Sequence, residues 1–319
     1  MSLINIDLKI IHKIAEKYER DLFSVWMQSA SSKSHRRTTI MTLLSLTPAP
    51  TLGDIVDLKR YPITDRTHPD YLALVARSQS LLEQEGVAIF PGFVRDEPVD
   101  AMAEQTLALH PRMFHFRENH TVYFKPQEES VDAGHPLRRL MKTEKDTVAY
   151  ADIPGEHMIR QIYESDAVLS FIRDVLGLDA LYRHADPLAA LNLQGFTVGQ
   201  QLGWHFDRSD FSVTLSLQAA DSGGDFEYVR MLRNEADDCY EAVRGFLDNP
   251  ATQQIEVLPQ VPGTLTLFRG RYSLHRVTPV VGDRLRLNAV FAYVDQPNVE
   301  FSAYARQLFY GRTSTDPLV

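Results

Sequence analysis

Two patterns of apolar and polar positions divide the chain. Up to about residue 190, apolar residues recur at helical spacing, as in YLALVARSQSLLEQEG, which ends at Gly86. The same spacing predicts helices at about 97–109 and over 156–176, the latter ending at Gly177. Beyond residue 190 short alternating runs predict strands at 192–198, 203–207, 211–219, 225–230, 253–258, 264–268, 271–277 and 284–294, with a helix of about 235–247 among them.

Helices followed by strands predict an α+β fold whose core is a double-stranded β-helix, or jelly roll. We expect a helical and linker extension at 1–52, within which Met41 is an alternative native start, and one domain at 53–319. The helical part of that domain would span 53–190 and the jelly-roll core 191–295. Gly223-Gly224 and Pro262-Gly263 are interpreted as turns between strands.

Composition narrows the range of partners. The net charge of -9 disfavours a phosphate backbone, so no nucleic-acid partner is expected. No apolar run reaches the length of a membrane span, and the acidic residues among the first thirty do not fit a secretory leader. A single cysteine, Cys239, fits a reducing compartment, and we expect a cytoplasmic protein whose oligomeric state the sequence leaves open.

His-x-Asp triplets are the first candidate chemistry. Three occur: His68-Pro-Asp70, His184-Ala-Asp186 and His205-Phe-Asp207. The first precedes the helix at 71–84, where Asp70 is expected to cap free amides. Pro187 follows the second, which is therefore interpreted as loop or packing.

The third triplet lies in a predicted strand. Alternation projects His205 and Asp207 to one side, and Trp204 and Phe206 to the other, where Trp204 is expected in the core. His275, in RGRYSLHRV, supplies a third ligand from a distant strand. Two imidazoles and one carboxylate on one face of a metal suit non-haem Fe(II).

A second strand supplies candidate co-substrate ligands. Leu285, Leu287, Ala289, Phe291 and Tyr293 form an apolar face that the N-terminal helices could cover. Arg284, Arg286 and Asn288 then form a polar face directed into the barrel. A guanidinium pairs bidentately with a carboxylate, so Arg284, or alternatively Arg286, is predicted to bind a dicarboxylate.

These motifs carry a family resemblance. The HRVTPVVGDRLRLNAVFAY ending is similar to that of the Fe(II)/2-oxoglutarate dioxygenases. LYRHADPLAALN, GWHFDRSDFSVTLSLQA and PGTLTLFRGRYSLHRVTPV resemble the BesD-like free amino-acid halogenases and their hydroxylase relatives, over about 55–313. The resemblance implies Fe(II) held by His205, Asp207 and His275, 2-oxoglutarate held by Arg284, and dioxygen as oxidant.

The resemblance also bears on the reaction. Halogenases of this family carry Gly or Ala where Asp207 stands, which leaves a position for chloride. Asp207 therefore favours hydroxylation of a small molecule, with release of succinate and CO2. The resemblance to the family suggests a free, cationic amino acid as that molecule. His120, Tyr123 and Arg208 are candidate substrate residues. Hydroxylation of a peptide or protein residue, halogenation, a zinc hydrolase and a non-catalytic jelly-roll binding protein remain alternatives.

Overall fold

The computed structural model describes residues 49–318, so residues 1–48 of the predicted extension, Met41 included, lie outside the described residues. The helices are α1 (Leu52–Ile55), α2 (Pro69–Glu85), α3 (Asp96–Leu109), α4 (Met158–Glu164), α5 (Asp166–Leu176), α6 (Tyr240–Asp248) and α7 (Ala303–Tyr310). Short 3-10 turns occupy His110–Arg112, Tyr150–Asp152 and Pro250–Thr252. Within residues 49–318 no helix is both long and apolar enough to cross a bilayer.

The strands follow in two groups. Before residue 190 lie β1 (Val87–Phe90), β2 (Phe114–His120), β3 (Met141–Val148) and β4 (Tyr182–Arg183). After it lie β5 (Leu191–Phe196), β6 (Leu202–His205), β7 (Ser212–Gln218), β8 (Ser222–Gly223), β9 (Phe226–Val229), β10 (Glu256–Leu258), β11 (Leu265–Phe268), β12 (Leu274–Val277), β13 (Val280–Val281), β14 (Arg286–Phe291) and β15 (Tyr293–Val294).

Two antiparallel sheets make up the barrel. The large sheet has the order β1-β11-β7-β14-β5-β3-β2, and the small sheet has the order β10-β9-β12-β6. The sheets meet where Phe268 of β11 contacts Phe226 and His275 of the small sheet, at ring-centroid distances of 5.2 and 5.0 Å. We call the face of the large sheet that carries Phe268 the inner face. The α+β class with a jelly-roll core is as predicted.

The opposite face of the large sheet is covered by the N-terminal helices. Leu287, Ala289 and Phe291 of β14 are buried there, in one core with Leu82 of α2 and Phe171 of α5. This is the apolar face that the alternation predicted. Because successive residues of a strand point to opposite faces, the residues between them are directed to the inner face.

A second apolar core lies on the other side of the small sheet. Trp204 and Phe206 are buried there, and Trp204 packs edge-on against Phe246 of α6 at 5.0 Å. The prediction that Trp204 belongs to the core is confirmed. Since Trp204 and Phe206 point outward, His205 between them points into the barrel.

Three local predictions need correction. The helix predicted over 156–176 is two helices, because Ser165 ends α4 and caps α5, accepting a hydrogen bond from the Val168 amide. The region 53–190 is not only helical, since β2 and β3 are strands of the large sheet. The cap of α2 is His68, whose ring nitrogen accepts from the Asp70 amide, and not the Asp70 carboxylate.

The packing interpretation of His184-Ala-Asp186 agrees with the structure, and the turn predicted at Pro262-Gly263 is present, with a φ of 80° at Gly263. Gly223 also has a positive φ, 65°, but it is the last residue of β8, which pairs with β13 and not with β9, so the hairpin predicted at Gly223-Gly224 is not formed. The carboxylate of Asp186 is fully buried and accepts hydrogen bonds from the amides of Leu188, Ala189 and Phe301. It also pairs with Arg306 Nε at 2.7 Å, which holds α7 against the loop before β5.

Asp186→Ala should lower the free energy of unfolding by about 3 to 5 kcal/mol, because the change leaves the Arg306 guanidinium and several amides without their buried acceptor. Glu300→Ala is the matched control, since Glu300 pairs with the same arginine at 2.9 Å but is exposed. That change should cost about 1 kcal/mol or less. Urea unfolding checks both, and equal losses in the two variants would contradict the role of the buried pair.

Candidate metal centre

The pairing of β6 with β12 brings two distant histidines together. His205, the last residue of β6, lies directly opposite His275 of β12 in the antiparallel register. Their rings are 4.0 Å apart between centroids. Cross-strand neighbours on one face are the closest side-chain pairs that a sheet offers. The sheet register therefore sets two nitrogen ligands side by side on the barrel's interior.

Asp207 completes the group. The predicted strand ends earlier than expected, at His205, but the Asp207 amide continues the pairing by donating to the Gly270 carbonyl at 3.0 Å. Its Oδ1 atom lies 3.5 Å from Nε2 of both His205 and His275. Within residues 49–318 these three form the one group of potential ligands close enough to share a metal ion.

Hydrogen bonds fix which nitrogen of each imidazole is available. Nδ1 of His205 lies 2.8 Å from the Gly203 carbonyl, and Nδ1 of His275 lies 2.9 Å from the Ser273 carbonyl. A carbonyl only accepts, so each Nδ1 carries a proton and each Nε2 is left to face Asp207. Such contacts orient metal-binding histidines and set their tautomer.

The protonation states also suit a metal. Burial, together with the nearby His275, lowers the pKa of His205 to about 4, so this imidazole is neutral at neutral pH. Burial opposes ionisation of Asp207, but the imidazoles of His275 and His205 hold its pKa well below the usual value. Neutral imidazole and ionised carboxylate are the forms that bind metal ions.

Gly270 makes room for the carboxylate. A Cβ atom at position 270 would lie 1.9 Å from Oδ2 and 2.6 Å from Cγ of Asp207. No side chain fits at that distance. The place of Asp207 therefore depends on the absence of a side chain at Gly270, in the stretch RGR that the sequence pattern marked only as a turn.

Aromatic rings enclose the centre. Phe226 stacks on His275 at 5.4 Å, and Phe124 packs against His205 at 5.2 Å. Phe124 has a φ of 51°, which is uncommon for a bulky residue. These rings keep the histidines in place and exclude water from one side of the site.

Arg286 is the buried arginine of the inner face. Its guanidinium lies 5.3 Å from the Phe196 ring centroid and donates one hydrogen bond to Gln260 Oε1 at 2.6 Å. Its Nε is buried and has no hydrogen-bond partner among residues 49–318. Burial lowers its pKa to about 10, so it remains a cation at neutral pH. A buried cation with an unused donor fits the distal carboxylate of 2-oxoglutarate.

Arg284 does not share that position. Strand β14 begins at Arg286, and Arg284 is exposed in the turn before it, where its amide donates to Asp221 Oδ2. The prediction that Arg284 points into the barrel is wrong, because alternation begins only where the strand begins. The sequence left both arginines as candidates for binding the dicarboxylate, and in the structure Arg286 is the one that points into the barrel.

The three candidate substrate residues lie in different surroundings. His120 is buried with its ring 6.0 Å from that of His205, but both its nitrogens are engaged, by the Thr121 carbonyl and by Thr143 Oγ1. Arg208 is exposed and donates to the Phe124 carbonyl.

Tyr123 does not face the metal centre. It stacks on Phe206 in the outer core and donates to the Asp238 carbonyl. Phe206 points away from the barrel interior, so a substrate role for Tyr123 is not supported.

Sequence reasoning missed residues of β2 and β3 that reach the interior. Phe116 and Lys145, opposite each other in the register, both belong to the inner face. The two strands carry polar residues on both faces, so no apolar alternation marks them. A signal was available in the order of TEKDTV, where Thr143, Lys145 and Thr147 alternate with two carboxylates.

The geometry defines a class of protein before any comparison. Two imidazoles and a carboxylate leave three positions of an octahedral ion open, and the buried Arg286 could bind a dicarboxylate. In a jelly roll this is the arrangement of the Fe(II)- and 2-oxoglutarate-dependent oxygenases. The protein is an enzyme of that class, with Fe(II), 2-oxoglutarate and dioxygen as its cofactor and co-substrates.

Comparisons place the chain more narrowly. The Halogenase D family matches residues 72–309, which is more than half of the chain, and the chain belongs to that family. No curated protein matches the sequence.

Solved structures are similar at low identity. The epimerase SnoN from nogalamycin biosynthesis, in complex with Fe3+, alpha ketoglutarate and nogalamycin RO, has a TM-score of 0.49 at 14% identity, covering 70% of this chain and 84% of its own. A Pseudomonas putida prolyl-4-hydroxylase has a TM-score of 0.44 at 16% identity, covering 68% of this chain and 97% of its own.

Gly270→Ala should weaken binding of Fe(II) by about 10- to 100-fold, the range seen when groups that orient ligands are disturbed, because the new methyl group displaces the Asp207 carboxylate. Anaerobic titration with Fe(II) measures this. Gly245→Ala is the control, since a Cβ there meets no atom within 4 Å in α6. It should leave metal affinity unchanged and stabilise the helix by about 0.5 to 1 kcal/mol. Unchanged Fe(II) affinity in Gly270→Ala would refute the steric account.

Proposed function

We propose that this enzyme hydroxylates an unactivated C–H bond of a small molecule, a free amino acid, and converts 2-oxoglutarate and dioxygen to succinate and CO2. The observation that carries the proposal is Asp207, a carboxylate in the ligand position that halogenation leaves to chloride. The fold accommodates this carboxylate, because Gly270 leaves space for it and the neighbouring His205 and His275 keep it ionised.

Different residues of the site would bind the metal, bind the co-substrate and limit the access of water. His205, Asp207 and His275 would hold Fe(II) on one face, which leaves the other face to 2-oxoglutarate and dioxygen. When bound, the iron and 2-oxoglutarate together supply the oxidising power for C–H cleavage. Arg286 would anchor the distal carboxylate of 2-oxoglutarate and so orient its 2-oxo acid end toward the metal. Phe124 and Phe226 cover the histidines and limit the access of water to the reacting atoms.

The interior suits a small polar substrate. In register across the inner face lie Asn288, Gln194 and Thr147, one from each of the neighbouring strands β14, β5 and β3. A small number of polar groups on an otherwise apolar interior is typical of small-molecule sites. The family likeness adds the free amino acid as the class of substrate. We assign the catalytic domain to residues 53–319.

Arg286→Gln should weaken binding of 2-oxoglutarate to the Fe(II) enzyme by about 10- to 100-fold, as expected for loss of a hydrogen-bonded charge pair. Arg284→Gln is the matched control, and its affinity should equal that of the wild type because Arg284 is exposed. The visible charge-transfer band of the anaerobic chelate reports binding in each variant. Absence of the band in the wild type would contradict the oxygenase site, and a larger loss in Arg284→Gln would reverse the assignment of the two arginines.

Chloride distinguishes hydroxylation from halogenation. In the wild type, chloride should leave the band of the Fe(II)–2-oxoglutarate complex unchanged, because Asp207 occupies the position that chloride would take. In Asp207→Gly, chloride should shift the band and strengthen 2-oxoglutarate binding. The same titration with sulfate in place of chloride controls for ionic strength. A chloride-dependent shift of equal size in the wild type would favour the halogenase alternative.

A further inference from the structure

Strand β3 carries charged residues on both faces, and the two faces differ in their pairing. On the outward face, Lys142 pairs with Glu144 at 2.8 Å, and His115 of β2 contacts Asp146 at 2.7 Å. Arg117 of β2 also contacts Glu144. Each charged side chain of β3 on that face therefore has a polar or charged partner within the protein.

Lys145 is the exception, on the inner face. Its ammonium lies 5.8 Å from the ring centroid of Phe116, its neighbour in the register. Within the described residues 49–318 it forms neither an ion pair nor a hydrogen bond. Two positions further along the same face, Thr147 Oγ1 is buried and likewise has no partner in that part of the chain. A cation without a counter-charge in a protein interior is costly, and no residue among 49–318 supplies one for Lys145, so an anionic group is expected beside it.

Lys145 and the metal centre share one interior. Burial lowers the pKa of Lys145 to about 8, the Asp207 carboxylate opposes this effect, and the Arg286 guanidinium adds to it. The Lys145 ammonium therefore interacts electrostatically with both Asp207 and Arg286, and it is still largely protonated at neutral pH.

The two cations occupy separate places. Strand β5 lies between β14 and β3 in the sheet, so the backbones that carry Arg286 and Lys145 are about 10 Å apart, two strand spacings. Arg286 packs against Phe196 of β5, which is its neighbour in the register, whereas Lys145 packs against Phe116 of β2. We therefore assign the two cations to different carboxylates, with Arg286 binding that of 2-oxoglutarate.

The charge balance favours an anionic substrate group. Fe(II), Arg286 and Lys145 together bring four positive charges to the interior, and Asp207 with the two carboxylates of 2-oxoglutarate brings three negative ones. The Lys145 ammonium is the one of these charges to which no carboxylate is assigned. A carboxylate of the substrate would pair with it locally, whatever other charge the substrate carries.

We propose that Lys145 binds a carboxylate of the primary substrate. The substrate class is then an acid, such as an amino acid with a free carboxylate, and its amide is excluded. This inference rests on the proposed function, because it assumes an iron- and 2-oxoglutarate-loaded site.

The test uses the anaerobic complex of the full chain with Fe(II) and 2-oxoglutarate, which binds substrate without turnover. Each of the common free L-amino acids, and the matching L-amino-acid amide, is titrated by calorimetry and by the change in the charge-transfer band. The wild type should bind at least one acid about 10- to 100-fold more tightly than its amide, the effect of one charge-assisted hydrogen bond. Lys145→Met should bind that acid and its amide equally.

Lys142→Met is the matched control, since Lys142 is on the same strand but is exposed and paired with Glu144. It should keep the preference for the acid. Lys145→Met should also unfold at the same temperature as the wild type or higher, because it removes an unpaired, half-buried cation, and its affinity for 2-oxoglutarate should be unchanged.

Other outcomes overturn the proposal in distinguishable ways. If Lys145→Met loses affinity for 2-oxoglutarate and keeps the preference for the acid, Lys145 is a co-substrate residue. If the wild type shows the band but binds no acid, or binds acids and amides equally, the substrate carboxylate is refuted and the oxygenase assignment stands. If the wild type shows no band, the proposed function fails and this inference fails with it.

Discussion

The register between β6 and β12 is the constraint on which the site depends. It sets His205 opposite His275, and a shift of one residue would turn one imidazole out of the barrel into the core of Trp204 and Phe206. That outer core makes such a shift costly, because an imidazole would replace a buried aromatic ring. The apolar packing on one side of the small sheet thus fixes the metal ligands on the other side.

The charged groups of the protein differ in whether a partner within residues 49–318 satisfies them. The charges on the outside of β3 are paired within the protein, and the buried Asp186 is satisfied by amides and by Arg306. By contrast, Arg286 retains an unused donor, and Lys145 has no partner within residues 49–318. These two cations therefore lack an anionic partner among the described residues, and anionic ligands would supply one. Binding and stability are coupled in this enzyme for that reason.

The sequence predicted some parts of this structure well and others poorly, for physical reasons. Strands β5 to β14 have one apolar face each, so alternation revealed most of them, together with the grouping of His205, Asp207 and His275. Strands β2 and β3 are polar on both faces and gave no such pattern, which hid Lys145. To choose between Arg284 and Arg286, one must know that β14 begins at Arg286. An error of two residues in that boundary leaves the predicted face of an arginine unchanged but decides whether the arginine is buried or exposed. The space beside Gly270 depends on a contact between loops that no spacing rule describes.

Gly270 has a consequence for how members of this family can diverge. The carboxylate at position 207 and a side chain at position 270 exclude each other, since both would occupy the same volume. A lineage that replaces Asp207 by glycine frees position 270 to vary, whereas a lineage that first acquires a side chain at 270 cannot regain the carboxylate without reversing that change. The order of the two substitutions thus determines whether the carboxylate ligand can be regained.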